Sequence, residues 1–431
     1  MNSTKPIAFV FYHYLPPDEV VSALHFGQMC AGLVQYGWQV TAFPCVWGCR
    51  DETVRFESTG SWQDVSIRRL WRPRFRQSSS LGRLLNAIWM IVSWCWIALR
   101  PDSHPDALVV GTDPVLSIMV ARFWKFFRPK TKIVHWCFDL YPEAAIAEGV
   151  FTANGLPARA IVHALRPAYR ACNVIADLGP CMRRQLLKYP STARRETLVP
   201  WALEEPDAPL PLDVPERQRI FGKAKLALLY SGNFGRAHSY REVLDLIELL
   251  NQENVKVAFS VRGNREAELR AAVESRGLDV PFPPFASADQ LTARLACADV
   301  HVVTLRREWT GTVVPSKFFG ALSAGRPVLF AGSSDSSLAH WIREDQTGWV
   351  LDDENISEVA LKLLEYASSP AQQEAMRARC FFVYREHFSR AAQIRQWDDL
   401  LRWTLVGDSI ASRPELPAVL PQTPVYVPDR S

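Results

Sequence analysis

The stretch TGTVVPSKFFGALSAGRPVLF, residues 310–330, reads as loop, helix and buried strand in immediate succession. Pro315 suits a first helical turn, where its missing N–H has no partner to lose. Ser316 and Lys317 then stand where a helix start leaves N–H groups unpaired and its dipole favours an anion, and Lys317 adds a full charge. Gly325 stops the helix, and Arg326-Pro327 leads straight into the apolar run Val328-Leu329-Phe330. A helix feeding a buried strand with no spacer is half of an α/β unit in a parallel sheet. A surface lysine on an ordinary unit would give the same pattern, so its neighbours must decide its role.

Upstream, KLALLYSG (225–232) reads as a buried strand, and SGNFGRAHSYREV from residue 231 turns on glycine into a helix. Gly232 and Gly235 let backbone N–H groups approach an anion, with Asn233 between them, and Arg236 and His238 can add charge. Further strands are expected at 255–263, 298–305, 326–330 and 348–351. Helices are expected near 240–252, 264–276, 287–297, 315–324 and 355–367. The first half alternates the same way, with strands at 7–12, 38–43, 65–71, 107–112, 131–138 and 173–176. Its helices are expected at 20–36, 80–99, 114–127, 157–171 and 180–188. Between them EEPDAPLPLDVPE is dense in proline and acid and reads as a linker. The organisation predicted is an N-terminal domain 1–200, a linker 201–224 and a C-terminal domain 225–388. A helix 389–410 then packs back on the first domain, followed by a Pro-rich tail 411–431. Two Rossmann-like α/β domains imply a cleft for the ligand.

The 431 residues carry 48% hydrophobic and 22% charged side chains, a globular balance that excludes disorder and a multispan membrane protein. A net charge of +4 names no polymeric partner, so no nucleic acid is expected, and oligomeric state is open. Nine scattered cysteines read as reduced thiols of a cytoplasmic protein, and Cys45/Cys49 lack a second pair at zinc spacing. The N-terminus lacks the pattern of a signal peptide. Residues 84–99, LLNAIWMIVSWCWIAL, are nearly all apolar yet shorter than the roughly 20 residues of a membrane span. Their flanks are basic and aromatic, as is FWKFFRPK (123–130). Two readings compete: a buried core helix, or a surface lying peripherally on the inner face of the cytoplasmic membrane.

No P-loop, no Gly-x-Gly-x-x-Gly and no Gly-x-Ser-x-Gly occurs. SGNFGRAH, CADVHVVTL, VVPSKFFGALSAGRPVLF and QTGWVL, with HWCFDLYPE, RACNVIADLGPCMRRQL and LVPWALEE in the first half, resemble family 4 retaining glycosyltransferases. The likeness is to the branch that builds bacterial surface polysaccharides and lipid-linked glycans, and it covers about residues 5–400. The resemblance implies a GT-B fold, two Rossmann-like domains with parallel sheets facing across a cleft. It also implies a nucleotide-sugar donor, UDP- or GDP-linked, in the C-terminal half, a glycan or lipid-linked acceptor in the N-terminal half, and no obligatory metal or other cofactor. Hexosyl or N-acetylhexosaminyl transfer with retention would follow. Three departures stand out. The family's two glutamates fall on Thr312 and Gly320, a first-strand glycine pair is replaced by PPDEVVSALH (16–25), and a Gly-Arg after the donor half's first strand is Gly232-Asn233.

Sugar transfer from a diphosphate needs charge stabilisation at the leaving group. That role is expected of Lys317 and Arg236, with backbone N–H groups at Gly235 and Ser316 and with Pro315 opening the turn. Arg262 and Asn264 could line the base or diphosphate. Asp139, at a strand end with Glu143 one helical turn on, could orient or deprotonate an acceptor hydroxyl or cap the helix containing Glu143. Glu143 and Asp113 are expected to bind the acceptor beside it, though Asp113 could instead cap before Pro114. His135 is expected to be structural. A nucleotide-sugar epimerase or hydrolase of the same architecture, and a degenerate nucleotide-sugar-binding protein, are the alternatives.

Overall fold

The computed structural model describes residues 5–77, 79–250 and 254–406, so the expected tail 411–431 lies outside the described residues. Two compact units emerge, one from residues 5–203 with 390–406, the other from 204–389. The stretch expected to be linker is not featureless, since Val214–Phe221 is a helix capped by Asp213 and anchored by buried Ile220 and Phe221.

The first unit holds β1 (Ile7–Phe11), β2 (Gln39–Ala42), β3 (Thr59–Trp62), β4 (Val65–Arg68), β5 (Ala107–Val110), β6 (Lys132–Trp136), β7 (Val174–Asp177) and β8 (Arg194–Thr197). Their spatial order is β3-β4-β2-β1-β5-β6-β7-β8, parallel throughout except the β3–β4 pair. β5 and β7 are buried at every position and β1 and β6 almost so, as strands covered by helices on both faces must be. Sequence reading missed β3 and β8, whose Thr-Gly-Ser-Trp and Arg-Arg-Glu-Thr carry no apolar pattern. The helix Arg390–Val406 belongs to this unit. Ile394 fills the space over Gly32, Trp397 meets Trp136 and Asp398 accepts from Trp38.

The second unit holds β9 (Leu226–Asn233), β10 (Val255–Arg262), β11 (Val300–Thr304), β12 (Val328–Ala331) and β13 (Gly348–Leu351). The order β10-β9-β11-β12-β13 is parallel throughout. In each unit the chain reverses its direction of strand addition at one place, between β1 and β5 and between β9 and β11. At such switch points the loops leaving adjacent strands diverge and open a crevice at the strands' carboxyl ends.

The helix Ser80–Ala98 departs from the core-helix reading. Gly82, Ala87, Met90, Trp94 and Ile97 are buried, whereas Leu81, Leu84, Leu85, Ile88, Trp89, Val92 and Trp96 face solvent.

Candidate functional site

Both switch points carry chemistry. In the second unit Asn233 ends β9 and Thr304 ends β11, and the loop 234–240 between β9 and its helix bridges them. The Arg306 N–H donates to Ala237 O (2.8 Å), and Arg265 donates to His238 O, fixing the loop to both neighbours. His238 Nδ1 lies 2.8 Å from Thr304 O. A carbonyl only accepts, so Nδ1 carries the proton and Nε2 presents a lone pair. That lone pair faces Lys317 Nζ at 3.4 Å, and Nζ donates to Asn233 O at 3.1 Å. The Tyr230 ring lies 5.1 Å from Nζ, and its hydroxyl donates to Asn233 O (2.9 Å).

Every partner of this ammonium is therefore neutral. Among the described residues Lys317 makes no ion pair, and burial lowers its pKa to about 8. Burial and the adjoining ammonium lower His238 to about 3, so His238 supplies no charge of its own, contrary to the expectation from sequence. It supplies an acceptor that aims the lysine. Tyr230 and Thr304 thus join His238 and Lys317 in a group whose other members sequence reading had named. The only signal of Tyr230 and Thr304 was their place in the last residues of the two strands.

Gly232 sits at φ +133, and a Cβ there would stand 2.6 Å from Lys317 Cε. Gly235 differs, since its Cβ would meet nothing nearer than Asn233 Nδ2 at 3.2 Å, with Asn264 Oδ1 at 3.9 Å. Gly232→Ala is accordingly expected to cost about 1–3 kcal/mol in strain and to dislodge the lysine, whereas Gly235→Ala stays within about 1 kcal/mol. Paired denaturation curves check this, and equal losses would show that Lys317 does not require the bare backbone at Gly232.

Asn233, Arg236, Arg262 and Asn264 are exposed at the same carboxyl-end loops, with Arg262 stacked 4.0 Å from the centre of the Phe285 ring. The helix after Pro315 is the seven-residue Lys317–Ser323. Ser316 is its N-cap without a side-chain bond, so Pro315 lies just before the helix rather than in its first turn. Thr312 is 2% exposed and points inward, whereas the position at Gly320 opens onto free space.

At the switch point of the first unit, His13 follows β1 and Asp113 follows β5. His13 N–H donates to Asp113 O (3.0 Å), and His13 Nδ1 meets Asp113 Oδ1 at 3.2 Å. Arg72, wholly buried, donates from Nε to His13 Nε2 (3.1 Å) and from Nη2 to Glu52 Oε1 (2.6 Å) and the Tyr14 hydroxyl (3.3 Å). Sequence reading missed this chain of groups because its members lie up to 100 residues apart. Asp139 follows β6 beside them. Its N–H donates to Thr112 Oγ1 (3.3 Å), and the helix Glu143–Ala147 has no side-chain cap, so Asp139 does not act as one. The residue reaches solvent, yet the surrounding protein and then the Asp113 charge raise its carboxyl to about 6.

Asp113 and Asp139 thus stand together at the ends of neighbouring strands, but Glu143 does not join them. Glu143 is buried, accepting from the Tyr189 hydroxyl (2.9 Å) and pairing with Lys188 (2.5 Å), so its contacts are those of a packing residue rather than an acceptor ligand. His135 is also internal, with Nδ1 2.9 Å from Val110 O and a pKa lowered to about 4 by burial.

Residues 215–380 match the family model Glycosyl transferases group 1. The chain is 23% identical over 285 residues to the probable glycosyltransferase WbjE of Pseudomonas aeruginosa, covering 64% of this chain and 70% of that protein. It is 32% identical over 128 residues to the putative colanic acid biosynthesis glycosyl transferase WcaI of Escherichia coli K12, 30% of each chain. Its fold is that of Anabaena HepE, solved in complex with UDP and glucose, at a TM-score of 0.63 and 12% identity over 92% of this chain and 99% of that one. The architecture is GT-B.

Proposed function

From a chain whose residues 215–380 form a group 1 glycosyltransferase domain, we propose that the protein transfers a hexosyl or N-acetylhexosaminyl group from a nucleoside-diphosphate sugar to a glycan or lipid-linked acceptor. One observation carries the reading: Lys317 is a half-buried ammonium with only neutral partners, placed at the switch point of the second unit. A cation held this way lacks a counter-charge, and a diphosphate supplies one. The complex of HepE with UDP and glucose supports the same ligand class.

In the reaction proposed, the bond from the anomeric carbon to the phosphate oxygen breaks and the acceptor oxygen bonds to that carbon. The charge growing on the leaving diphosphate falls on Lys317 and Arg236 with the Gly235 and Ser316 N–H groups, while Asn233, Arg262 and Asn264 border the donor. With retention, the acceptor proton passes to the leaving phosphate oxygen, so the protein needs no strong base. Asp139, seconded by Asp113, orients the acceptor hydroxyl.

The test incubates the purified protein with UDP- and GDP-sugars, with and without lipid-linked acceptors, and follows nucleoside diphosphate release. Acceptor-dependent release is expected. Release without acceptor would identify a hydrolase, and binding without any turnover a degenerate binder.

A pH profile follows from the same groups. The Asp139 carboxyl holds its proton below about 6 and free Lys317 loses its own above about 8. kcat/KM is therefore expected to rise through the first value and fall through the second, with Asp139→Asn abolishing the acid limb. In kcat the alkaline limb moves upward, because bound diphosphate favours the charged lysine. An acid limb unchanged in Asp139→Asn would remove that residue from the reaction.

A further inference from the structure

The exposed side chains of helix Ser80–Ala98 form one stripe. Leu81, Leu85, Ile88, Val92 and Trp96 recur at intervals of three and four, the spacing of a single helical face. Trp96 is 64% and Leu81 66% exposed, a large apolar area to leave in water. The opposite face holds the helix along the unit's flank. Trp94 is fully buried, stacks on Phe11 at 5.2 Å and donates to Phe43 O at 2.9 Å. Although long and apolar enough to cross a membrane, this helix is thus bound lengthwise to its unit and offers only its outer stripe.

The neighbouring helix Met119–Phe127 extends the patch with Phe126, 79% exposed, and Phe127. Arg128 links the two helices by donating to the carbonyls of Ala98 and Arg100. Beside Phe126 opens a groove of about 620 Å³, between this helix and Leu156–Ala171, where Arg122, Lys125 and Arg170 stand over an apolar floor that includes Phe123. No Asp or Glu occurs between Asp64 and Asp102 or between Asp113 and Asp139, while Arg83, Arg100, Arg122, Lys125, Arg128 and Lys130, all at least partly exposed, do.

We propose that this face lies on a bilayer rich in anionic phospholipid. The leucine–tryptophan stripe and Phe126 enter the interfacial layer, and Arg122 and Arg170 hold a lipid phosphate at the groove. An apolar strip rimmed by cations without acids matches that surface, because apolar insertion and attraction to the negative headgroups act together. A second copy of the chain would meet the same cations and be repelled by them. Surface docking is independent of the donor assignment, since vesicle binding is read without any sugar transfer.

The experiment cosediments the full chain with vesicles of phosphatidylcholine alone and of phosphatidylcholine with about one-third phosphatidylglycerol, enough anionic lipid to give the surface a strong negative potential. Binding is expected only to the second, and to weaken as salt rises. Arg122→Glu and Arg170→Glu should each lower partitioning by roughly five-fold or more, and Ile88→Asp with Trp96→Ser should abolish it. All four positions are solvent-facing or rim residues, so circular dichroism should remain that of the parent. Equal binding to both vesicle types, or binding untouched by Ile88→Asp with Trp96→Ser, would overturn the proposal. So would a lipid-free dimer that the same pair of substitutions dissolves, which would assign the stripe to a second copy. Free inorganic phosphate competing fully with vesicles would confine the groove to phosphate rather than lipid.

Discussion

Lys317→Ala is expected to lower acceptor-dependent nucleoside diphosphate release by about a hundred- to a thousand-fold, the usual loss when one preorganised charge donor leaves a reacting oxyanion. The geometry explains why the effect should be this large. Nζ is aimed by Asn233 O at 3.1 Å and His238 Nε2 at 3.4 Å, so its position is set before any ligand arrives. Both guides are neutral and leave the charge unspent. Nucleoside diphosphate affinity should fall by roughly ten- to a hundred-fold, the range for a hydrogen bond to a charged group. Stability should move the other way or not at all, because burial already disfavours the ammonium. Lys317→Arg keeps the charge but brings a planar fork to a place shaped for one nitrogen above Gly232, and should recover only a minor part of the rate. Calorimetric titration with UDP and GDP, beside thermal melts, separates the outcomes. An alanine variant that unfolds early yet binds diphosphate normally would make Lys317 a structural residue.

Much of this site was legible because its signals are local. Gly232, Gly235 and the Pro315-Ser316-Lys317 run are short patterns whose chemistry follows from neighbours in sequence. Lys317 could be named as a cation at a helix start. Its lack of a counter-ion could not, because Asn233 and His238 lie about 80 residues away and meet it only through the β9–β11 switch. His238 shows the same limit more sharply. Read as a residue type it promised charge, but the Thr304 carbonyl fixes its tautomer and burial empties it of charge. The strands were legible wherever both faces are covered, as in Ala107–Val110, and illegible at the polar β3 and β8, where exposed or half-buried positions hide the period. Helix Ser80–Ala98 failed differently. Composition cannot say which side of a nearly all-apolar helix faces water, so Trp94 in the core and Trp96 in solvent look alike in sequence.

Arg72→Met is expected to destabilise the first unit by about 3–5 kcal/mol, the cost of breaking a buried, hydrogen-bonded charge pair from one side. Arg72 is wholly buried and satisfies Glu52, His13, Tyr14 and the Pro73 carbonyl at once. Methionine fills most of the volume but leaves the Glu52 carboxylate facing a site with no cation. At about 2–4 °C per kcal/mol for a unit of this size, the midpoint should drop by roughly 6–20 °C. Tryptophan fluorescence isolates that transition, because among the fifteen tryptophans only Trp309, Trp341 and Trp349 belong to the second unit. Adding Glu52→Leu should return part of the loss by removing the stranded charge. The same substitution tests a functional link. Arg72 Nε–H occupies His13 Nε2, which leaves the ring proton on Nδ1, directed at Asp113. Without Arg72, Nε2 can take a proton, and the imidazolium would neutralise Asp113. Asp113 raises the Asp139 carboxyl through its charge, so the acid limb set by Asp139 should shift to lower pH in the variant. A stability loss with an unmoved acid limb would leave Arg72 as a brace for β1 and nothing more. A loss below about 1 kcal/mol would place it among surface-like ion pairs, against its complete burial.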